Sequence, residues 1–321
     1  MRPFLNPLMV GAKRKLRVQD VFAATLYNLD STGVAGNQQV PLPFVPRLNI
    51  QAARNSPITK RIIDVARQGT IFEPSSQAAG FSSPAVFLDG VSKRFPQSFT
   101  QGGLPIISWS YAEAEKFYKS LVVNKPSTAA ISVDLSSLGI IGEVRAKPLS
   151  ASSDWLVWTA GLQSRYAGYY FQLNAGAVPL ANSPVSVSGT NFILGTNIPA
   201  GDYLIQAFAH DPSAEGFIQC GAYNGNGSAT GPEINLGWRP QFLELKGMSG
   251  TNVSGWLMLD TTRGIVVGTG DPSLYENSVA AETTTNIVDL TATGFKITSS
   301  AGAYNESGNG IAYRAIREVT A

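Results

Sequence analysis

Cysteine and histidine are nearly missing, with one of each in 321 residues. The single thiol, Cys220, excludes an intrachain disulfide, and one Cys with one His excludes a histidine- or cysteine-based zinc site within one chain. Cys220 lies in FIQCGAY, the expected setting of a buried, inert thiol without an activating base. A Ser-His-Asp triad would have only His210 to draw on. That residue follows the strand-like run QAFA, where a strand-end histidine facing solvent or accepting a turn hydrogen bond is the plainer reading. Charge is scarce too. Lys, Arg, Asp and Glu make up 14% of the chain, against about 25% in an average soluble protein. The net charge of +2 gives no reason to expect a nucleic-acid partner. No apolar run approaches the ~20 residues of a spanning helix, so membrane insertion is not expected. Neither a sustained heptad nor a Gly-X-Y tract is present. The glycine-rich GTNFILGTN and GNGSATG lack the lysine and the strand–helix context of a phosphate loop. Glycan cleavage needs two facing carboxylates. Asp271, Glu276 and Glu282 come together in DPSLYENSVAAE, but that stretch reads as a surface loop of solvated acids. These absences predict no catalytic residues, no cofactor and no metal.

What is present is apolar sequence (44% of residues) broken by Gly, Ser, Thr and Asn, a profile suited to rigid β-structure with short turns. The order of features repeats. Residues 26–69 and 222–264 both open on Tyr-Asn. Both pass a polar turn and an apolar stretch ending in Pro46 or Pro240, and both close on Asp-x-x-Arg. Residues 132–163 follow the same plan without that ending. Each copy then closes on an apolar strand, at 104–115, 201–211 and 310–319. The repeats divide the chain into a basic arm (1–19) and three β-domains (20–116, 117–212 and 213–321), each of ordinary domain size.

Period-two alternation in DYLIQAFA and WLMLD predicts strands with two different faces. Asn224-Gly225, Asn226-Gly227 and Asn309-Gly310 supply turns. The fold class that follows is all-β, three tandem antiparallel β-sandwich-like domains. Two stretches carry helix signals. Ser56, Pro57 and Gly69 frame one, which the repeat comparison turns into a strand over Arg61–Ala66. SYAEAEKFYKSL (110–121) predicts a short joining helix.

Asp64/Arg67 and Asp260/Arg263 are the most tempting pairs for acid–base work. Three-residue spacing at a strand end reads instead as a charged hydrogen bond closing a turn. Trp155, Trp158, Trp238 and Trp256 recur in strand-like settings and read as core. Tyr166, Tyr169 and Tyr170 in SRYAGYY are the binding candidates of the middle domain, since Tyr169 and Tyr170 would point to opposite faces of a strand. Lys13, Arg14, Lys15 and Arg17 form a basic cluster near Arg2, read as an arm that docks on an acidic partner protein. MRPFLNPLMVGAKRK, interrupted by Pro3, Asn6 and Pro7, does not read as a signal peptide.

The third repeat carries a resemblance. FIQCGAYNGNGSATGPEINLGWRPQFLELKGMSG, WLMLDTTRG and TGFKITSSAGAYNESGNGIAYRAIRE together resemble a domain of unknown function found in bacteriophage tail-fibre and other virion proteins. LRVQDVFAATLYN (16–28) looks like the entry sequence of such proteins. The resemblance implies a virion structural protein without enzymatic activity, made in the bacterial host cytoplasm and placed on the tail or particle surface. A tail fibre or receptor-binding fibre component mediating host attachment is the favoured expectation. The alternative is a non-adhesive decoration, head-fibre or adaptor protein that binds only other virion proteins. Implied partners are virion proteins through Lys13, Arg14, Lys15 and Arg17, a host cell-surface glycan or protein, and two further copies in a homotrimer. Host-facing candidates are Asp271, Tyr275, Glu276 and Asn277 in one loop and Tyr304 and Asn305 in another. The Asp-x-x-Arg pairs carry over only as fold determinants.

Overall fold

The computed structural model describes residues 15–319 apart from 33, 35, 36, 68, 79, 84–87, 89, 90, 151, 251–254, 266, 269 and 301. Among them the fold is all-β and antiparallel. The first stretch carries β1 (Phe22–Asn28), β2 (Gln39–Pro41), β3 (Leu48–Ala53), β4 (Arg61–Asp64), β5 (Thr70–Phe72), β6 (Phe81–Ser82), β7 (Arg94–Pro96) and β8 (Pro105–Tyr111). The second carries β9 (Tyr118–Lys125), β10 (Ile131–Asp134), β11 (Ile141–Pro148), β12 (Leu156–Thr159), helix α1 (Ala160–Gln163), β13 (Phe171–Gln172), β14 (Val185–Ser188), β15 (Asn191–Leu194) and β16 (Gly201–Ala209). The third carries β17 (Ile218–Asn224), β18 (Glu233–Asn235), β19 (Pro240–Gly247), β20 (Leu257–Asp260), β21 (Asp271–Tyr275), β22 (Thr283–Thr285), β23 (Val288–Thr291), β24 (Gly294–Ile297), helix α2 (Gly302–Asn305) and β25 (Gly310–Arg317).

Three main sheets repeat one strand order: β1-β8-β3-β4-β5-β6, then β9-β16-β11-β12-β13, then β17-β25-β19-β20-β21-β22. Each is accompanied by a small sheet, respectively β2-β7, β10-β15-β14 and β18-β24-β23. Register makes positions equivalent. Leu48 opposes Asp64, Glu143 opposes Thr159 and Phe242 opposes Asp260.

The central strands are buried on both faces: every residue of β3 and β11 is buried, and all but Gln241 of β19. In the third sheet Leu243, Leu245, Leu257 and Leu259 pack toward the small sheet, in a core with Ile234, Leu290 and Phe295. The alternate residues Phe242 and Met258 belong instead to a core shared with Ile50, Trp109 and Tyr111 of the first sheet and Val157 and Phe208 of the second. In the third sheet a period of two thus divides two cores, not core from solvent. The main sheets stand around a common interior. Phe22 and Tyr111, Tyr118 and Phe208, and Phe242 meet there from all three, with Phe22–Phe242 centroids 5.7 Å apart and Tyr111–Phe208 5.6 Å apart. Backbones approach closely between the second and third sheets. A Cβ on Gly161 of α1 would lie 2.1 Å from the Gly221 carbonyl of β17, so only glycine fits.

The predicted joining helix over 110–121 is corrected: those residues end β8, turn and begin β9. Lys116 takes φ 56° in the turn and Ala114 bridges Tyr118. The alternating burial along β9, set by pairing with β16, overrides the helical tendency of AEAEK. Arg61–Asp64 is a strand as expected, followed by a 3₁₀ turn at Val65–Arg67.

Candidate functional site

Polar contacts between the main sheets occur at three levels of the common interior. At one end, Asp64 accepts from Tyr118 Oη (2.8 Å) and Ser120 Oγ (2.8 Å) of β9 and from Gln206 Nε2 (2.8 Å) of β16, tying the first sheet to the second. Burial raises its pKa, against the hydrogen bonds that lower it. Asp260, its equivalent, accepts from Trp109 Nε1 (3.0 Å) and ties the third sheet to the first. Thr159 at the second sheet's equivalent position caps α1 through Leu162 N (3.0 Å), and α1 packs on β17 and β25 of the third sheet.

Arg145 occupies the middle level, fully buried. Its Nε donates to Glu143 (2.6 Å), Nη1 to Glu276 (2.8 Å) and Nη2 to both oxygens of Glu244 (2.8 and 3.0 Å). Arg314 also donates to Glu244, and its guanidinium lies 3.8 Å from the Phe208 ring centre. Burial works against the charge of Arg145, and Glu244, Glu276 and Glu143 outweigh it. Burial raises the pKa of Glu244, while the two arginines pull it down. An adjoining cavity of about 10 Å³, lined by Glu143, Thr159, Glu244, Trp256 and Arg314, has room for about one water and nothing larger.

Three buried lysines hold the other end. Lys60 donates to Ala280 O (2.6 Å), Lys147 to Gln77 O (2.7 Å) and Ser153 O (2.6 Å), and Lys246 to Gly176 O (3.2 Å) and Ala177 O (3.0 Å). The first sheet thus holds a loop of the third, the second a loop of the first, and the third a loop of the second. Burial pulls the pKa down to about 8 for Lys60 and Lys147 and to about 7 for Lys246. Lys147 lies 5.7 Å from Trp155, and Lys246 lies 5.9 Å from the equivalent Trp256.

The sequence-predicted residues fall as follows. Asp260 and Arg263 form the expected turn-closing pair, with Arg263 Nε 2.6 Å and its backbone N 2.9 Å from the carboxylate, and Arg263 also reaches Glu282. The first pair is corrected. Arg67 is exposed, and Asp64 takes the Ala66 N–H at 2.9 Å while its oxygens serve the second sheet. The host-facing loops are corrected too. Asp271 and Glu276 are wholly buried, as is Asn305, and Tyr304 is 3% exposed. Asp271 accepts from Ile287 N and Val288 N, Glu276 meets Arg145, and Asn305 donates to Ser228 O and Ser299 O. Tyr275 and Asn277 are half-buried, Asn277 accepting from Trp256 N. Asp271 lies in a strand, not a loop, because β21 pairs with both β20 and β22. Neither Asp271 nor Glu276 offers a carboxylate to a substrate.

Trp155, Trp158, Trp238 and Trp256 are all buried. Cys220 is buried, and burial raises its thiol pKa well above the ordinary value. His210 Nδ1 accepts from Cys220 N (3.2 Å), and burial lowers its pKa. Tyr166 and Tyr169 lie in turns with ring centres 5.7 Å apart, and Tyr170 bridges Leu180. Lys13 and Arg14 lie outside the described residues. Lys15 pairs with Glu215 (2.6 Å), and Arg17 approaches Asp20 (3.8 Å). No group of three or more His, Cys, Asp or Glu side chains among the described residues is placed to hold a metal ion.

Sequence reading missed the interior charges, yet a signal was there. Glu143, Arg145 and Lys147 alternate along one strand, as do Glu244 and Lys246, and in a chain of 14% charge such runs inside apolar strands are conspicuous.

The two ends of the interior differ in their connections. The links 112–117 and 210–217, the segment from Lys15 to Val21 and the end of β25 lie beside Tyr111, Phe208 and Ile316, at the aromatic end. The hairpin connections after β3, β11 and β19 lie at the lysine end. A family described as a domain of unknown function (DUF7483) matches residues 124–319, more than half of the chain. No curated protein matches it.

Proposed function

We propose that this chain, which belongs to the DUF7483 domain family, is a structural component of a bacteriophage virion that holds the particle by one end and meets the host with the other. The observation that carries the reading is the polarity of the three sheets. Both inter-sheet links and the N-terminal segment gather at one end, and three hairpin connections stand at the opposite one. Anchoring through Lys15, Arg17 and the residues before them leaves those hairpins outward. Host attachment needs no chemistry from them, only a rigid support and contacts multiplied by copy number, which adds about 10²–10⁴ in apparent affinity. A tail or receptor-binding fibre component fits this description, and the resemblance of segments within residues 217–318 to virion proteins supports it.

Closure of the interior within one chain favours a second reading, a decoration or adaptor protein. A fibre trimer would build such an interior from three chains, whereas here one chain supplies all three sheets. Antibody labelling of phage particles from lysates of the source strain tests the shared claim, with label expected on the tail or particle surface. Label absent from particles overturns both readings. Competition then separates them: purified chain that blocks adsorption of the particles to cells marks an attachment protein, and unhindered adsorption marks a decoration or adaptor.

A further inference from the structure

The first sheet differs from the others on the face turned toward its small sheet. At six equivalent positions the second sheet carries Val144, Ala146, Leu156, Trp158, Ile205 and Ala207, and the third Leu243, Leu245, Leu257, Leu259, Tyr313 and Ala315. The first has Asn49, Gln51, Arg61, Ile63, Ser108 and Ser110. Burying amides and hydroxyls where the other sheets carry mostly apolar side chains costs stability unless each is hydrogen-bonded.

Part of this set is satisfied internally. Asn49 donates to Ser110 Oγ (2.8 Å), Gln51 donates to Asn49 Oδ1 (2.6 Å) and Pro96 O (2.8 Å), and Ser98 gives Gln51 Oε1 both its N–H (3.0 Å) and its hydroxyl (2.6 Å). Arg61 Nε, Ser108 Oγ and Gln97 Oε1 have no partner. The network fixes Ser98 on the wall of a cavity of about 210 Å³ lined by Arg61, Phe81, Ser83, Ser98, Phe99 and Gln101, among others. The Arg61 guanidinium lies 5.0 Å from the Phe81 ring centre and 5.8 Å from that of Phe99. Phe81 is 43% exposed, on the edge strand β6, where it presents an aromatic ring at the mouth of the cavity.

We propose that this cavity binds a neutral sugar residue. Its volume falls below the ~300–1,000 Å³ of drug-sized sites and suits one pyranose ring. Serine, glutamine and arginine side chains line it together with a partly exposed aromatic ring, the combination that a sugar's polar edge and apolar face require. Glu73 pairs with Arg61 and offsets its charge, so an anionic ligand gains no net attraction. At the Arg61 position the third sheet carries Leu257, buried in the core between its main and small sheets. The site stands without the virion reading: sugar binding by a protein absent from particles would overturn that reading and leave this one in place.

Saturation-transfer NMR on the full chain, with glucose, galactose, mannose, rhamnose and N-acetylglucosamine as probes and glucuronic acid and inorganic phosphate as anionic comparisons, tests the proposal. At least one neutral sugar should receive saturation. Phe81→Ala, at an exposed position, should weaken its binding about tenfold or more. Arg61→Leu, which installs the residue of the other two sheets, should abolish binding while the melting temperature holds or rises. Val267→Ala, at a distant exposed position, should change nothing. No transfer to any neutral sugar, binding unchanged in both Phe81→Ala and Arg61→Leu, or preference for glucuronic acid or phosphate would each overturn the assignment.

Discussion

Arg145→Met is the sharpest test of the buried charge cluster, because methionine keeps most of the side-chain volume and removes only the charge. In the native interior Arg145 satisfies Glu143, Glu244 and Glu276, all at most 3% exposed. Without it Glu143 and Glu244 keep only Arg314, and Glu276 loses its arginine. Removing one partner of a buried ion pair costs about 3–5 kcal/mol, a large share of the ~5–15 kcal/mol by which a domain is stable. The cluster bridges the second and third sheets, so the size of the thermal shift depends on how much of the chain unfolds with it. An unfolding entropy of about 2.1 cal/mol/K per residue gives about 0.7 kcal/mol/K for all 321 residues. A loss of ~4 kcal/mol then lowers the Tm by about 6 °C in one transition. Were a single sheet of about 100 residues to unfold alone, the same loss would shift its transition by nearly ~20 °C and leave the rest in place. The shared interior argues for the first outcome. Differential scanning calorimetry distinguishes them, and Arg145→Met combined with Glu276→Gln should recover part of the loss. A shift corresponding to under ~1 kcal/mol would refute the cluster's role, and a split transition would refute its coupling of the sheets.

Trp256→Ala should destabilise by about 3–5 kcal/mol, because the ring is 1% exposed and stands edge-on to Phe171 at 5.3 Å; an unchanged urea midpoint would show it to be dispensable. The lysine end predicts a pH effect of definite sign. The pKa of Lys246 is lowered to about 7 in the fold, against about 10.4 in the unfolded chain, so between those values the unfolded state binds a proton that the folded state does not. Stability contributed by this group therefore rises with pH from about 7, at up to about 1.4 kcal/mol per unit. Lys246→Met isolates the contribution: the stability of wild type relative to the variant, from urea denaturation, should increase between about pH 7 and pH 9, and a flat or falling difference refutes the assignment.

Strands, turns and buried tryptophans were legible because they are local matters of period and turn chemistry. DYLIQAFA alternates, and the pairs Asn224-Gly225 and Asn309-Gly310 mark the end of β17 and the start of β25. What alternation cannot say is where each face goes. The same pattern that ordinarily separates core from water here separates two cores, so acids and amides of DPSLYENS and AGAYNESGNG that looked solvated are buried against partners far along the chain. Glu276 is 131 residues from Arg145, and no spacing rule reaches that far. Asp64 failed for a related reason. Its spacing to Arg67 matches that of Asp260 to Arg263, but Tyr118, Ser120 and Gln206 of the next sheet take its oxygens. The polar lining of the first sheet was readable in principle from LNIQ and SWSY set beside FLEL and YRAI, once register fixed which positions correspond.

Register also explains why three sheets sit on one chain. At the middle of the common interior the equivalent residues are Ile50, Arg145 and Glu244 on one strand position and Trp109, Gln206 and Arg314 on its neighbour. Three identical chains would place the same residue at all three corners. Three arginines, or three glutamates, brought together in a buried interior would repel one another and go unpaired, at a cost of several kcal/mol per ion. An ion cluster of Arg145 and Arg314 with Glu143, Glu244 and Glu276 requires that the corners differ, and only covalent linkage guarantees one of each. The same freedom lets the first sheet carry amides and an arginine where the second and third carry apolar side chains. A ring closed in this way has already used the faces through which identical subunits would trimerise. Any further assembly must therefore proceed through its ends or outer small sheets, and the purified chain should scatter light with the mass of one 34.1 kDa chain; a stable trimer in solution would mean that those outer surfaces carry an interface of their own.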